Sequence, residues 1–133
     1  MRTSLLSATA ILVAVCLAGC GSVAETSYRG VPQNPLKPAS QGLIDGTPTV
    51  TWLSDETRFA ITLAGSSNCS SYPSKVSQID DHTIEVVTQR TKRPLCTADF
   101  ILTTYELSTP AGIDESLPVV VVLGENSYEL GPR

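Results

Sequence analysis

The sequence predicts an all-β domain behind an export leader, and three observations carry the prediction. Beyond Gly42, short β-branched runs recur at intervals of roughly ten residues between turn residues. Nine prolines and nine glycines punctuate the chain. No stretch after Cys20 keeps a helical apolar period for the three turns that an average helix needs, so helix is expected to be short or absent.

The strands follow in order. Val50 to Leu53 and Arg58 to Leu63 flank Ser54-Asp55-Glu56-Thr57 and read as a hairpin, with Phe59, Ile61 and Leu63 alternating against Arg58, Ala60 and Thr62. Lys75 to Ile79 and Thr83 to Thr88 form a second hairpin across the polar turn Asp80-Asp81-His82; Ile84 and Val86 share one face and Glu85 takes the other. Phe100 to Leu107 is a long strand. Pro118 to Leu123 is almost pure valine, which predicts burial on both faces, and Ser127 to Leu130 returns across Gly124-Glu125-Asn126. About seven strands in about 90 residues fit an antiparallel two-layer sandwich resembling an immunoglobulin-like domain, with a small partly open barrel as the alternative. With one Trp and two Phe in the chain, the core must be built from Val, Ile and Leu around Trp52.

Size and charge narrow the function. A chain of 133 residues holds one domain of ordinary size and no separate cofactor domain. A hydrophobic share of 41% with 17% charged residues excludes a wholly disordered protein. The net charge of −4 becomes −5 once Arg2 is lost with the leader, which disfavours a nucleic-acid surface.

The N-terminus carries an address. Arg2 precedes an apolar run from Leu5 to Leu17, too short to span a hydrocarbon core of ~30 Å but suited to a secretory signal. Leu17-Ala18-Gly19-Cys20 follows, and these four residues resemble the lipobox of bacterial lipoproteins. The resemblance implies that residues 1–19 are a signal peptide, that the Cys20 thiol receives a diacylglyceryl group, and that Cys20 becomes the mature N-terminus. It also implies a palmitate-type acyl anchor on the extracytoplasmic face of the cell membrane; two chains hold far better than one. Cys16 lies in the discarded part. Gly21 is not acidic, so it gives no sorting signal for the leaflet.

Residues 20–42 then read as a lipidated tether, rich in Pro, Gly and Ser, with Pro32, Pro35 and Pro38 every third residue. Lacking apolar alternation, this stretch is expected to make few buried contacts and to be dispensable for stability. The folded domain is accordingly expected over residues 43–133. The Pro spacing also matches ligands of aromatic-grooved peptide-binding modules, but spacing alone says little.

With Cys20 assigned to lipid, Cys69 and Cys96 remain as an even pair in an exported domain and are expected to form a disulfide. A metal site and a redox thiol are the competing readings. No C-x-x-C occurs, and His82 is the sole histidine. The run Gly65-Ser66-Ser67-Asn68-Cys69-Ser70-Ser71-Tyr72-Pro73, with Cys96-Thr97-Ala98-Asp99-Phe100, is similar to small exported, uncharacterised lipoproteins of Gram-positive bacteria. The likeness spans roughly Trp52 to Leu123. It departs from that pattern at Ser70, where the family has a proline after the first cysteine.

Chemistry-bearing constellations are sparse. His82 sits between turn residues, Asp80 and Asp81 on one side, where side chains are usually solvated. Ser66, Ser67, Ser70 and Ser71 belong to no G-x-S-x-G elbow. Asp80, Asp81 and Asp99 lack the spacing of a Ca²⁺ loop, and Asn68-Cys69-Ser70 is a glycosylation sequon in form only. No catalytic residue, metal or cofactor is expected. Arg90, Lys92 and Arg93 form a basic cluster that is either a solvated loop or a contact for an anionic partner. The favoured reading is a membrane-anchored binding or interaction module for an unknown envelope protein or ligand. Its candidate surface comprises Ser66, Ser67, Asn68, Tyr72, Arg90, Lys92, Arg93 and Asp99. The alternative is a small envelope hydrolase or inhibitor using the same loops, which would need a concave site with His82 or Asp99 in it.

Overall fold

A computed structural model describes residues 22–37, 45–55 and 57–133. The expected signal peptide, residues 1–19, and the expected lipidation site Cys20 lie outside these residues. The described chain forms eight strands and no helix: β1 (Thr26–Arg29), β2 (Thr49–Trp52), β3 (Arg58–Gly65), β4 (Ser71–Asp80), β5 (Thr83–Arg90), β6 (Ile101–Ser108), β7 (Val119–Leu123) and β8 (Asn126–Leu130). They make two four-stranded sheets, ordered β1-β6-β3-β2 and β4-β5-β7-β8, packed as a sandwich.

Period-2 alternation builds the core. Phe59, Ile61, Leu63, Tyr105 and Leu107 of the first sheet meet Ile84, Val86, Val121 and Leu123 of the second, with Trp52 and Leu130 closing one end. Trp52 stands edge-on to Phe59 at 6.4 Å between ring centroids. Every pairing is antiparallel except β5 with β7. Parallel neighbours need a crossover, and here β6 supplies it by passing through the opposite sheet before the chain returns. The β7–β8 turn needs only Gly124 and Glu125; Gly124 has φ +64°, the positive angle a two-residue II′ turn takes at its first central position.

The Val119–Leu123 strand corrects one expectation. Val119, Val121 and Leu123 are buried while Val120 and Val122 are half-buried, because only one face of this sheet meets the other sheet. A second correction is larger. Residues 26–29, expected to lie in a tether, form the edge strand β1, paired to β6 from Thr26↔Glu106 to Arg29↔Thr103. The domain therefore does not begin at residue 43.

After β1 the chain turns at Gly30, whose φ of +101° favours glycine, and crosses the back of the first sheet to its far edge. There Pro35 bridges Leu53, Leu36 N–H donates to the Trp52 carbonyl at 2.8 Å, and Ser54 N–H donates to the Asn34 carbonyl at 2.9 Å. This strap explains why the side chains pointing away from the core are also buried: Ala60 (0% exposed), Thr62 (1%), Thr104 (0%) and Glu106 (8%). They are satisfied locally. The Thr62 and Thr104 hydroxyls lie 2.8 Å apart, and Thr104 donates onward to the Gly30 carbonyl at 2.7 Å. Glu106 accepts from the Tyr28 hydroxyl at 3.0 Å and pairs with Arg58, which also holds Asp55. The Arg58 guanidinium keeps the Asp55 carboxyl below its usual range, while burial raises the Tyr28 phenol.

The chain end fastens the core from the other side. Trp52 Nε1 donates to the Gly131 carbonyl at 2.7 Å, and the Arg133 guanidinium lies 4.7 Å above the indole centroid. Arg133 also donates to the Asp55 and Arg58 carbonyls at 2.6 and 2.7 Å, and its Nε lies 3.1 Å from Glu115 with the N–H not aimed along that contact. Replacing Arg133 with Ala is expected to cost about 2 kcal/mol, from the lost cation–π contact and two charge-assisted hydrogen bonds. Urea unfolding checks it; a change below about 0.5 kcal/mol would make the clamp ornamental.

Candidate functional site

Each sheet contributes to one end of the sandwich. β3 and β4 end and begin there, joined by residues 66–70, and the loop from Arg90 to Phe100 joins β5 to β6 there. The disulfide Cys69–Cys96 ties the two loops together, with a Cα–Cα distance of 5.4 Å. The pairing expected from an even cysteine count is thus formed, and Cys69 itself is buried.

Hydrogen bonds lock the loops around that bridge. Asn68 Oδ1 accepts from Thr97 N–H at 2.8 Å, and its Nδ2 donates to the Leu95 carbonyl at 3.2 Å. Asp99 accepts from Ser67 N–H at 3.0 Å and from the Thr97 hydroxyl, which lies 3.2 Å from the Ser67 hydroxyl. Ser66 Oγ accepts from Cys69 N–H at 3.2 Å. The Thr97 hydroxyl, with the Ser67 hydroxyl and amide behind it, holds the Asp99 carboxyl far below the usual carboxylate range. A depressed folded value means that its contribution is present above the unfolded value and lost only as pH falls through the lower one. The loop stays fastened in mild acid.

The predicted residues divide accordingly. Ser66, Ser67, Asn68 and Asp99 are committed to holding the loops in place, and Ser66 is buried. Arg90, Lys92 and Arg93 are exposed and in no ion pair among the described residues. Arg90 is steered by the bridge: its Nε donates to the Cys69 carbonyl at 3.4 Å and its Nη2 approaches Cys96 Sγ at 3.9 Å. Two open grooves flank this basic ridge. One, of about 760 Å³, is lined by Gln89, Arg90, Lys92, Arg93, Pro94 and Cys96. The other, of about 650 Å³, runs along Ser22, Tyr72, Gln89, Arg90, Lys92 and Tyr105.

Sequence reading missed Arg29, Phe100 and Ser22, and placed Leu95 only within the Arg90 to Asp99 loop without singling it out. Arg29 lines a smaller recess with Ser66, Ser67 and Ser70, and it too has no ion pair among the described residues. Leu95 and Phe100 are 81% and 59% exposed. His82 lies at the opposite end of β5 from Arg90, its N–H donating to Asp80 Oδ1 at 2.9 Å and its Nε2 3.4 Å from Asp81. Neither His82 nor Asp99 lines either groove. Among the described residues, no three His, Cys, Asp or Glu side chains converge on a point that could hold a metal ion.

These features define a class, an all-β sandwich with one disulfide-fastened, cationic loop end. No protein-family model, no curated protein and no solved structure matches the chain.

Proposed function

We propose that this protein is a lipoprotein anchored through Cys20 on the extracytoplasmic face of the cell membrane and acting as a binding module through the loops around Cys69 and Cys96. The observation that carries the binding half is the cationic ridge of Arg90, Lys92 and Arg93. It is held in place by a disulfide and left without carboxylate partners among the described residues. Fixed loops on a rigid sandwich bind with little ordering cost. That neither His82 nor Asp99 lines these two grooves supports the binding reading over the hydrolase alternative. The lipobox-like Leu17-Ala18-Gly19-Cys20 carries the anchoring half, and the disulfide agrees with an oxidising compartment.

Cells expressing Cys20→Ser and fed radiolabelled palmitate should give a protein without label and retain the unprocessed precursor, since only a thiol forms the thioether. Equal labelling of the substituted and original chains would end the lipoprotein reading.

A further inference from the structure

We propose that the cationic loop end is a membrane-docking surface for anionic phospholipid headgroups, so that the domain lies on the bilayer instead of standing off it. The proposal deepens the reading above and rests on acylation of Cys20. Chain reach comes first. Val23 N–H donates to the Pro73 carbonyl at 3.0 Å, and Ser22 lines the groove beside Arg90 and Lys92. Cys20 is two residues from Ser22, and two residues span at most about 7 Å. A lipid on Cys20 therefore enters the membrane next to the Arg90–Arg93 loop, with no tether between.

Charge points the same way. Arg29, Arg90, Lys92 and Arg93 gather at this end; of the carboxylates there, Asp99 is occupied by Thr97 and Ser67, and Asp45, next to the Gly46 that packs on Phe100, accepts from Thr47 N–H. Asp80, Asp81 and Asp114 gather at the other end of β5, where Asp114 N–H donates to the Asp81 carbonyl at 2.8 Å. The eight residues of β5 hold the two groups roughly 25 Å apart. The processed chain, of net charge −5 without Arg2, is repelled by an anionic surface in most orientations, and this end-to-end separation selects the one that is attracted. Leu95, two residues after Arg93 and 81% exposed, supplies an apolar side chain for the interface, and Phe100, 59% exposed at the same end, lies against Gly46. Each basic residue near an anionic leaflet is worth roughly fivefold in partitioning, so the ridge turns a lipid-held domain into a docked one.

The test uses acylated Leu95→Trp protein, purified from an expressing bacterial host and reconstituted into vesicles of brominated phosphatidylcholine with or without phosphatidylglycerol. The native Trp52 is 4% exposed and serves as the unquenched background. The new indole's emission should fall at least about twofold in the phosphatidylglycerol vesicles alone, and should recover in high salt or when Lys92→Glu and Arg93→Glu are added. Mass spectrometry of the same sample reads the diacylglyceryl group. Acylated protein with emission unquenched, or quenched equally in both vesicles, overturns docking and leaves the lipoprotein reading standing. Emission unquenched by vesicles but altered by soluble polyphosphate means that the surface faces away from the membrane, which also overturns docking. A mass without the acyl group overturns both.

Discussion

Deleting residues 22–37 is expected to lower the melting temperature by about 10 °C or more, and to leave a protein prone to associate through its opened sheet. The segment supplies an edge strand and the strap that covers the back of the first sheet. Without it, β6 becomes an unprotected edge, and Ala60, Thr62 and Thr104 face water. Glu106 loses the Tyr28 hydroxyl, Thr104 loses the Gly30 carbonyl, and the Trp52 and Leu102 carbonyls lose their N–H donors from Leu36 and Gly30. Four lost hydrogen bonds at ~1 kcal/mol each already exceed what a dispensable tether would cost. For a domain of this size 1 kcal/mol moves the midpoint by several degrees. Thermal unfolding followed by circular dichroism reads the effect. A midpoint within about 3 °C of the full protein would mean that the strap is a passenger.

Why this segment escapes a reading of the sequence is physical. β1 is four residues long and mostly exposed, so Thr26-Ser27-Tyr28-Arg29 has no buried alternation to reveal it. Its prolines at every third position suggest a free extended helix, yet Pro32 is buried against the sheet and Pro35 bridges Leu53. Proline serves here because a strap lying flat on a sheet donates few ladder bonds. The same strap hides the roles of Ala60 and Thr62, whose alternation with Phe59 and Ile61 marks them as a solvent face until something covers it. Where burial comes from the opposite sheet alone, alternation is sufficient: β5 shows Ile84 and Val86 inward and Glu85 outward, as its pattern requires. β4 begins at Ser71, before its apolar residues, because an edge strand tolerates Pro73 and the bulge beside it.

The loop end is partly legible for a related reason. Cysteine pairing is legible from the even count left once Cys16 and Cys20 are assigned to the expected leader and lipid anchor, and the basic run is contiguous. The network of Ser67, Asn68, Thr97 and Asp99 joins residues about 30 apart in sequence, with no periodicity to announce it. Ser22 reaches the site because Val23 N–H is held by the Pro73 carbonyl, and Arg29 because β1 pairs with β6.

Reducing the Cys69–Cys96 bond, or replacing both residues with Ser, is expected to cost about 3.6 kcal/mol in the chain-entropy treatment of a loop of 28 residues, counting both cysteines. That is a large share of the stability of a single small domain and corresponds to a fall of about 10 °C or more in melting temperature. The loss has a second, local consequence. Arg90 is oriented by the Cys69 carbonyl and the Cys96 sulfur, so the ridge should loosen before the core does. The Asn68–Thr97 and Asp99–Ser67 hydrogen bonds remain and oppose that loosening, but they are exposed to competing water. Amide exchange should therefore accelerate first across residues 66–70 and 91–100, while the amides of β3 and β6 keep their protection until global unfolding. Thiol titration of the native protein should find Cys69 and Cys96 unreactive before reduction and both reactive after it. A melting shift under about 3 °C on complete reduction would assign the loop geometry to the hydrogen-bond network and not to the covalent bridge.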